Sequence, residues 1–312
     1  MNDRPAELGT APPPQVVAFE AVMPPAVAAR AEETGVKKAA ADPLTTLALS
    51  ILAGAFISFG AIIATTVSAG SVVLTAGDGT TAFSAALPYG ITKLLAGLTF
   101  SVGLILVIVA GAELFTGNNL IVMAWASRKV RTRDLLFNWT IVFIGNFIGA
   151  IATAGLMVCT TQYTFGGGAI GLAALKAAEA KTSLSFVPAV ALGIMCNALV
   201  CLAVWMCYGA RTIVDKIVAI VPPITAFVAA GFEHCIANIY YIPMGLFIKA
   251  GAPDSFWTSI HKSAADFPQL TWSNFFFANL VPVTIGNIIG GSVMVGAVYW
   301  FIYLRNASRA SP

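Results

Sequence analysis

Glu233 and His234 stand side by side in AAGFEHCIAN (229–238), with no charged residue in 217–230 or in 239–248. Histidine changes charge near pH 6.5 and a carboxyl group near pH 4. An ionisable group inside an apolar segment marks a functional site. The chemistry open to such a pair is proton transfer and the holding of a small anion. Adjacent side chains on a helix do not face each other. The two therefore point apart: Glu233 is expected to bond backbone, and His234 reads from the residues alone either as a hydrogen-bonded core histidine or as a functional group. The other histidine, His261, sits beside Lys262 in a polar segment and reads as a surface residue.

The solvent around this pair follows from composition. The chain has 312 residues, of which 58% are hydrophobic and 10% charged. Soluble domains carry about 25% charged residues, so the composition points to an integral membrane protein. Apolar stretches run over 47–73, 92–126, 134–161, 187–208, 213–248 and 273–304. A spanning helix needs about 20 apolar residues. Four stretches fit one span each. The second and fifth are too long for a simple span, and each contains a glutamate.

Charge gives the orientation. Arg128, Lys129, Arg131 and Arg133 crowd one link, Arg211 and Lys216 another, with Lys37 and Lys38 before the first stretch and Arg305 and Arg309 after the last. Residues 74–90 hold Asp78 and no Lys or Arg, and in 162–186 and 249–272 the basic residues are balanced by Glu179, Asp254 and Asp266. The positive-inside rule places both termini in the cytoplasm, in agreement with six spans. The expected division is an N-terminal cytoplasmic segment over 1–45, a first three-span repeat over 46–161, an extracytoplasmic linker over 162–186, a second repeat over 187–305 and a tail over 306–312. The Pro/Ala-rich start lacks the charged-then-apolar pattern of a cleaved signal peptide. Within it, AVAARAEETGVKKAA (26–40) reads either as a helix on the inner surface or as a solvated lead-in. The cysteines at 159, 196, 201, 207 and 235 have no metal-ligand spacing and read as small core residues. No metal, cofactor or nucleic-acid partner is expected.

The two long stretches repeat one another. GAELFTGNN contains Gly111, Glu113 and Asn118, and GFEHCIANI contains Gly231, Glu233 and Asn238. The next stretch in each half carries IGNFIG (Ile144–Gly149) or IGNIIG (Ile285–Gly290). Repeated motifs in register indicate a duplicated three-span unit. An odd number of spans gives the halves opposite topology, an arrangement that places a site between them. The glycines and polar residues predict two half-helices per long stretch, joined at membrane depth. Irregular backbone survives there only if protein or a wet cavity satisfies it. Asn118, Asn238, Asn146, Asn287, Glu113 and Glu233 are the expected partners of the freed backbone, and the half-helix N-termini suit a small anion.

GAELFTGN, GFEHCIAN, IPMG and PVTIGNIIGG resemble the signatures of the formate/nitrite transporter family, and NALVCLAVWM resembles its formate-channel branch. The likeness runs from about Val27 to Arg305. It implies an all-α membrane protein with an aquaporin-like six-span protomer, a homopentamer with one pore per protomer, and a bacterial inner-membrane location. It assigns His234 to the centre of the pore and Thr116 to the position facing it. By the same resemblance Leu104, Leu114 and Phe115 form an apolar constriction, Phe100 and Phe227 are pore aromatics near its two ends, Lys181 belongs to the outer vestibule, and Asn197 and Asn287 lie near the path. The implied function is passage of formate. Protonation by His234 would turn the anion into a neutral acid that crosses an apolar ring without the cost of burying a charge. Nitrite, acetate, lactate or hydrosulfide would suit the same pore logic. A neutral-solute channel fits the histidine–threonine pair less naturally. A haem-binding anchor commonly needs axial ligands such as paired histidines, and one histidine lies at membrane depth. An enzyme is not expected.

Overall fold

The computed structural model describes residues 22–77 and 81–306. The readings placed on 1–21, on Asp78 and on 307–312 lie outside these residues. Apart from one antiparallel hairpin, Val72–Thr75 with Thr81–Ala85, the described regular structure is helical. The hairpin corrects the all-α expectation locally. It overlaps the 74–90 link, and its β-branched Val72, Val73, Thr75 and Thr81 suit strands.

Five helices are long and apolar enough to cross a membrane: Pro43–Val67, Tyr89–Ala110, Thr132–Cys159, Phe186–Gly209 and Trp272–Tyr303. The first begins with Asp42, whose carboxylate accepts from Thr45 N at 2.8 Å, and with a proline at its first position. Both features are favoured helix starts. The second long stretch is helical to Ala110, leaves helical geometry at Gly111 (φ 83°) and resumes at Phe115, running to residue 126. The fifth is helical over Ile213–Ala229, leaves it by Gly231 (φ 75°) and resumes over Cys235–Gly251. A left-handed glycine suits a helix end because it has no side chain to clash. At each end a later N–H closes on the last turn, Ala112 N to Val107 O at 2.8 Å and Phe232 N to Phe227 O at 3.0 Å.

Small residues let the helices touch. A side chain on Gly149 would meet the carbonyl of Ile51, and one on Gly290 the carbonyl of Ile194. Close backbone approach of this kind is how membrane helices associate without a hydrophobic drive. Trp272–Tyr303 departs from its counterpart Thr132–Cys159 in containing two wide π-helical stretches, Phe275–Leu280 and Ile289–Ala297.

The 26–40 segment forms the helix Pro24–Ala39, which buries Val27, Ala28, Ala31 and Gly35. Gly35 lies against Ile121 and Ala124, Arg30 donates to Tyr208 O at 3.0 Å, and Lys129 pairs with Glu32 at 2.5 Å. The expected linker 162–186 likewise contains a packed helix, Ala169–Thr182. Cys196, Cys201, Cys207 and Cys235 are buried, whereas Cys159 ends its helix exposed, against the core reading.

Candidate functional site

A helix that stops and restarts leaves N–H and C=O groups unpaired. One asparagine answers this at each break. Asn146 donates to Glu113 O at 2.8 Å and to Ser50 O at 2.8 Å, and its Oδ1 accepts from Phe115 N at 2.9 Å. Asn287 donates to Glu233 O at 2.9 Å and to Gly193 O at 2.8 Å, and accepts from Cys235 N at 2.9 Å. Both side chains are fully buried.

The glutamates do something other than expected. Glu113 accepts from Lys38 Nζ at 2.7 Å and from Asn118 Nδ2 at 2.7 Å. Asn118 also donates to Asn138, which donates to Lys38 O. In the other half Glu233 accepts from Lys181 Nζ at 2.7 Å and from Asn238 Nδ2 at 2.7 Å. Asn238 also donates to Asn279, which donates to Lys181 O. The expectation that the four residues Glu113, Glu233, Asn118 and Asn238 bond freed backbone is corrected. Glu233 is buried and Glu113 half-buried, and a lysine answers a carboxylate there better than a neutral peptide group does. Lys181, expected in a vestibule, lines the larger cavity described below and has its ammonium paired with Glu233.

Lys38, Asn138 and Asn279 were not singled out in the sequence. A signal was present. Asn138 precedes Asn146 by the same eight residues that separate Asn279 from Asn287.

Leu114 and His234 occupy equivalent places. Each is the residue just before a half-helix restarts, with nearly the same backbone (φ −111°, ψ 125° and φ −110°, ψ 114°). Leu114 makes no capping bond. His234 caps its helix, with Nδ1 accepting from Ala237 N at 3.1 Å. A backbone N–H can only donate, so Nδ1 carries a lone pair. The hydrogen of the neutral ring is thereby assigned to Nε2. Nε2 lies 3.0 Å from Thr116 Oγ1. The ring donates there, and the threonine keeps its own hydroxyl hydrogen for a third group.

Two cavities approach this contact and share no lining residue. The larger, about 540 Å³, is lined by Phe100, Phe227, His234, Glu233, Lys93, Lys176 and Lys181 among others. The smaller, about 220 Å³, is lined by Leu104, Leu114, Gly117, Val204, Lys38 and Lys216 among others. Phe100 and Phe227 meet edge to face at 5.6 Å between centroids, and Phe227 lies over the His234 ring at 6.0 Å. They belong to one cavity, which corrects the placement of these aromatics near two ends. Leu104 and Leu114 line the other cavity.

Phe115 does not join them. Its ring packs edge-on against Phe143 at 5.1 Å and Trp139 at 6.1 Å, and it lines neither cavity. The residue after a cap turns to the helix flank, here toward the Thr132–Cys159 helix. Asn197 also lines neither cavity. Its amide donates to Thr116 O at 3.3 Å, Asn119 Oδ1 at 2.8 Å and Asn287 O at 2.7 Å, tying the two breaks together. It holds Thr116 from behind.

The family model described as Formate/nitrite transporter matches residues 25–301. The formate channel FocA of Escherichia coli K12 is 45% identical over 92% of this chain and 96% of its own length. FocA of Haemophilus influenzae is 37% identical over 85% of this chain and 89% of its own. A solved structure described as a pentameric formate channel with formate bound superposes with a TM-score of 0.76 at 44% identity, covering 84% of this chain and 98% of that one.

Proposed function

The chain belongs to the formate/nitrite transporter family, and on that premise we propose that it passes formate across a bacterial membrane through a path centred on Thr116 and His234. It is a transport protein, not an enzyme. The observation that carries the reading is the 3.0 Å contact between these two side chains, placed between a cavity floored by Phe100, Phe227 and His234 and one headed by Leu104 and Leu114.

In this reading the five long helices and the interrupted 213–251 segment are six crossings, and the chain is an inverted duplication. The two matched Lys–Glu–Asn–Asn networks and the two matched asparagines at the breaks support it. The helix carrying Lys38 and the helix carrying Lys181 then belong to the repeat. Five copies assemble, each with its own path, and both termini face the cytoplasm.

The chemistry follows from the cap. At rest His234 is neutral and donates its Nε2–H to Thr116, whose own hydroxyl hydrogen is then offered to an anion at this buried place. Half-helix N-termini add partial positive charge. A second proton can enter the ring only at Nδ1, and doing so breaks the bond from Ala237 N. The anion's charge offsets that loss. The imidazolium then gives its Nε2 proton to a formate oxygen: the N–H bond breaks, an O–H bond forms, and a neutral acid stands beside a neutral ring. The acid crosses Leu104 and Leu114 without the desolvation cost of an ion. The ring recovers its capping form by gaining a proton at Nε2 and releasing the one on Nδ1.

The test is uptake into proteoliposomes of labelled formate and labelled nitrite over a pH series. Formate flux exceeding nitrite flux and rising as pH falls is expected. Nitrite flux exceeding formate at every pH overturns the choice of substrate.

A further inference from the structure

The larger cavity carries more positive charge than passage of one small monoanion uses. Three ammonium groups line it, Lys93, Lys176 and Lys181, against one carboxylate, Glu233. Lys181 and Glu233 neutralise each other at 2.7 Å. Lys93 and Lys176 have no acidic partner among the described residues. Lys93 is half-buried, with its ammonium 5.5 Å from the ring of Tyr89, and Lys176 is exposed on another helix, Ala169–Thr182. In the smaller cavity two lysines, Lys38 and Lys216, face Glu113, so its surplus is one charge and not two.

We propose that Lys93 and Lys176 form a second anion site, one that takes an oxyanion dianion of the sulfate class and thereby obstructs the formate path. It rests on the reading of this cavity as one mouth of that path. Three observations support a dianion. Two ammonium groups without an acidic partner line one cavity from two different helices and match two negative charges, and the attraction strengthens where protein displaces water. At about 540 Å³ the cavity has room for a hydrated ion much larger than formate. Its floor then stops that ion: Phe100, Phe227 and His234 are all buried to 3% exposure. One proton from His234 turns a monoanion into a neutral acid but leaves a dianion charged. The dianion is therefore held where it is attracted and does not pass.

The test compares formate flux in sulfate with flux in chloride at equal ionic strength, in wild-type protein and in Lys93→Gln/Lys176→Gln. The ratio within each protein cancels any change in basal flux. Calorimetric titration of sodium sulfate into each purified protein gives a readout that needs no transport. Expected are a several-fold lower flux in sulfate for the wild type, a ratio near one for the double variant, and sulfate binding present in the first and lost in the second. Wild-type flux equal in the two salts, or sulfate binding unchanged by the substitutions, overturns the proposal. Absence of formate flux in any salt instead counts against the transport reading, and the calorimetry still decides the site.

Discussion

Thr116 Oγ1 and His234 Nε2 lie 3.0 Å apart although 118 residues separate them in the chain. Each stands at the first turn of a helix that restarts after a break, one in each half. The equivalent of His234 in the first half is Leu114, which has the same backbone and no capping side chain. Of the two restarting helices, one has a titratable cap and the other has none.

The hydroxyl of Thr116 accepts from His234 and offers its hydrogen to the anion. Thr116→Val keeps the shape and removes both roles. Assembly is expected to be normal, because the Thr116 backbone stays held by Asn197. Formate flux should fall by about tenfold, the value of one or two lost hydrogen bonds of about 1 kcal/mol each. Flux measured in proteoliposomes and equal to wild type would exclude the hydroxyl from the path.

Asn287 holds three backbone groups, Cys235 N, Glu233 O and Gly193 O. Asn287→Leu has nearly the same shape and leaves all three unpaired, at about 1–3 kcal/mol each. That sum rivals the whole stability of a domain, about 5–15 kcal/mol. Purification in detergent should return little folded assembly, and Asn146→Leu should behave alike. A well-folded Asn287→Leu protein would show that water or a neighbour satisfies the break.

Lys181 and Glu233 form a buried pair with side-chain exposures of 17% and 7%. Removing one partner strands the other, at a cost of about 3–5 kcal/mol, whereas removing both is milder. Lys181→Met should lower the thermal midpoint strongly, and Lys181→Met/Glu233→Gln should recover much of the loss. Strictly additive losses would mean that the pair does not act as a unit. A free anion-gathering lysine would instead lose only salt-sensitive uptake when replaced.

Asp266 closes a turn outside the helices, accepting from Ser263 N at 2.8 Å and from the Ser263 hydroxyl at 3.0 Å, with Lys262 at 3.2 Å. The backbone bond first, then the hydroxyl and the lysine, hold its carboxyl below the usual carboxylate range. A depressed value means stabilisation present above about pH 4 and lost as pH falls through the folded value. Hydrogen-exchange protection at residues 263–267, taken relative to the intrinsic rate at each pH, should therefore fall below about pH 4 in wild type, and Asp266→Asn should show low protection already at pH 7. Equal protection in the two proteins at pH 7 would contradict the role of the carboxylate.

The helical, apolar character of the chain is legible in its composition, and two of its motifs occur twice in the same order. The Gly–Glu–Asn and Gly–Asn motifs mark the breaks and their support before any coordinate is known. The roles of individual side chains are less legible. A glutamate in an apolar segment announces a need for a partner, but its lysine lies on another helix, 75 residues away for Glu113 and 52 for Glu233. Phe115 and Leu114 are neighbours with the same apolar character, and only the turn of the restarting helix decides which one meets the cavity. Phe100 and Phe227 occur in different halves, and their contact depends on how those halves pack.

The central claim is that His234 moves a proton to the anion, and the direct measurement is the pH profile of formate flux in His234→Asn proteoliposomes, taken together with proton movement. Asparagine is among the best N-cap residues, so it can keep the bond from Ala237 N and the fold while removing titration between pH 5 and 8. The account predicts an assembled protein whose flux has lost its pH-dependent component and its accompanying proton, leaving a pH-independent anion leak. Flux that keeps the wild-type pH response and still carries protons would contradict it and reduce His234 to a polar lining of the path.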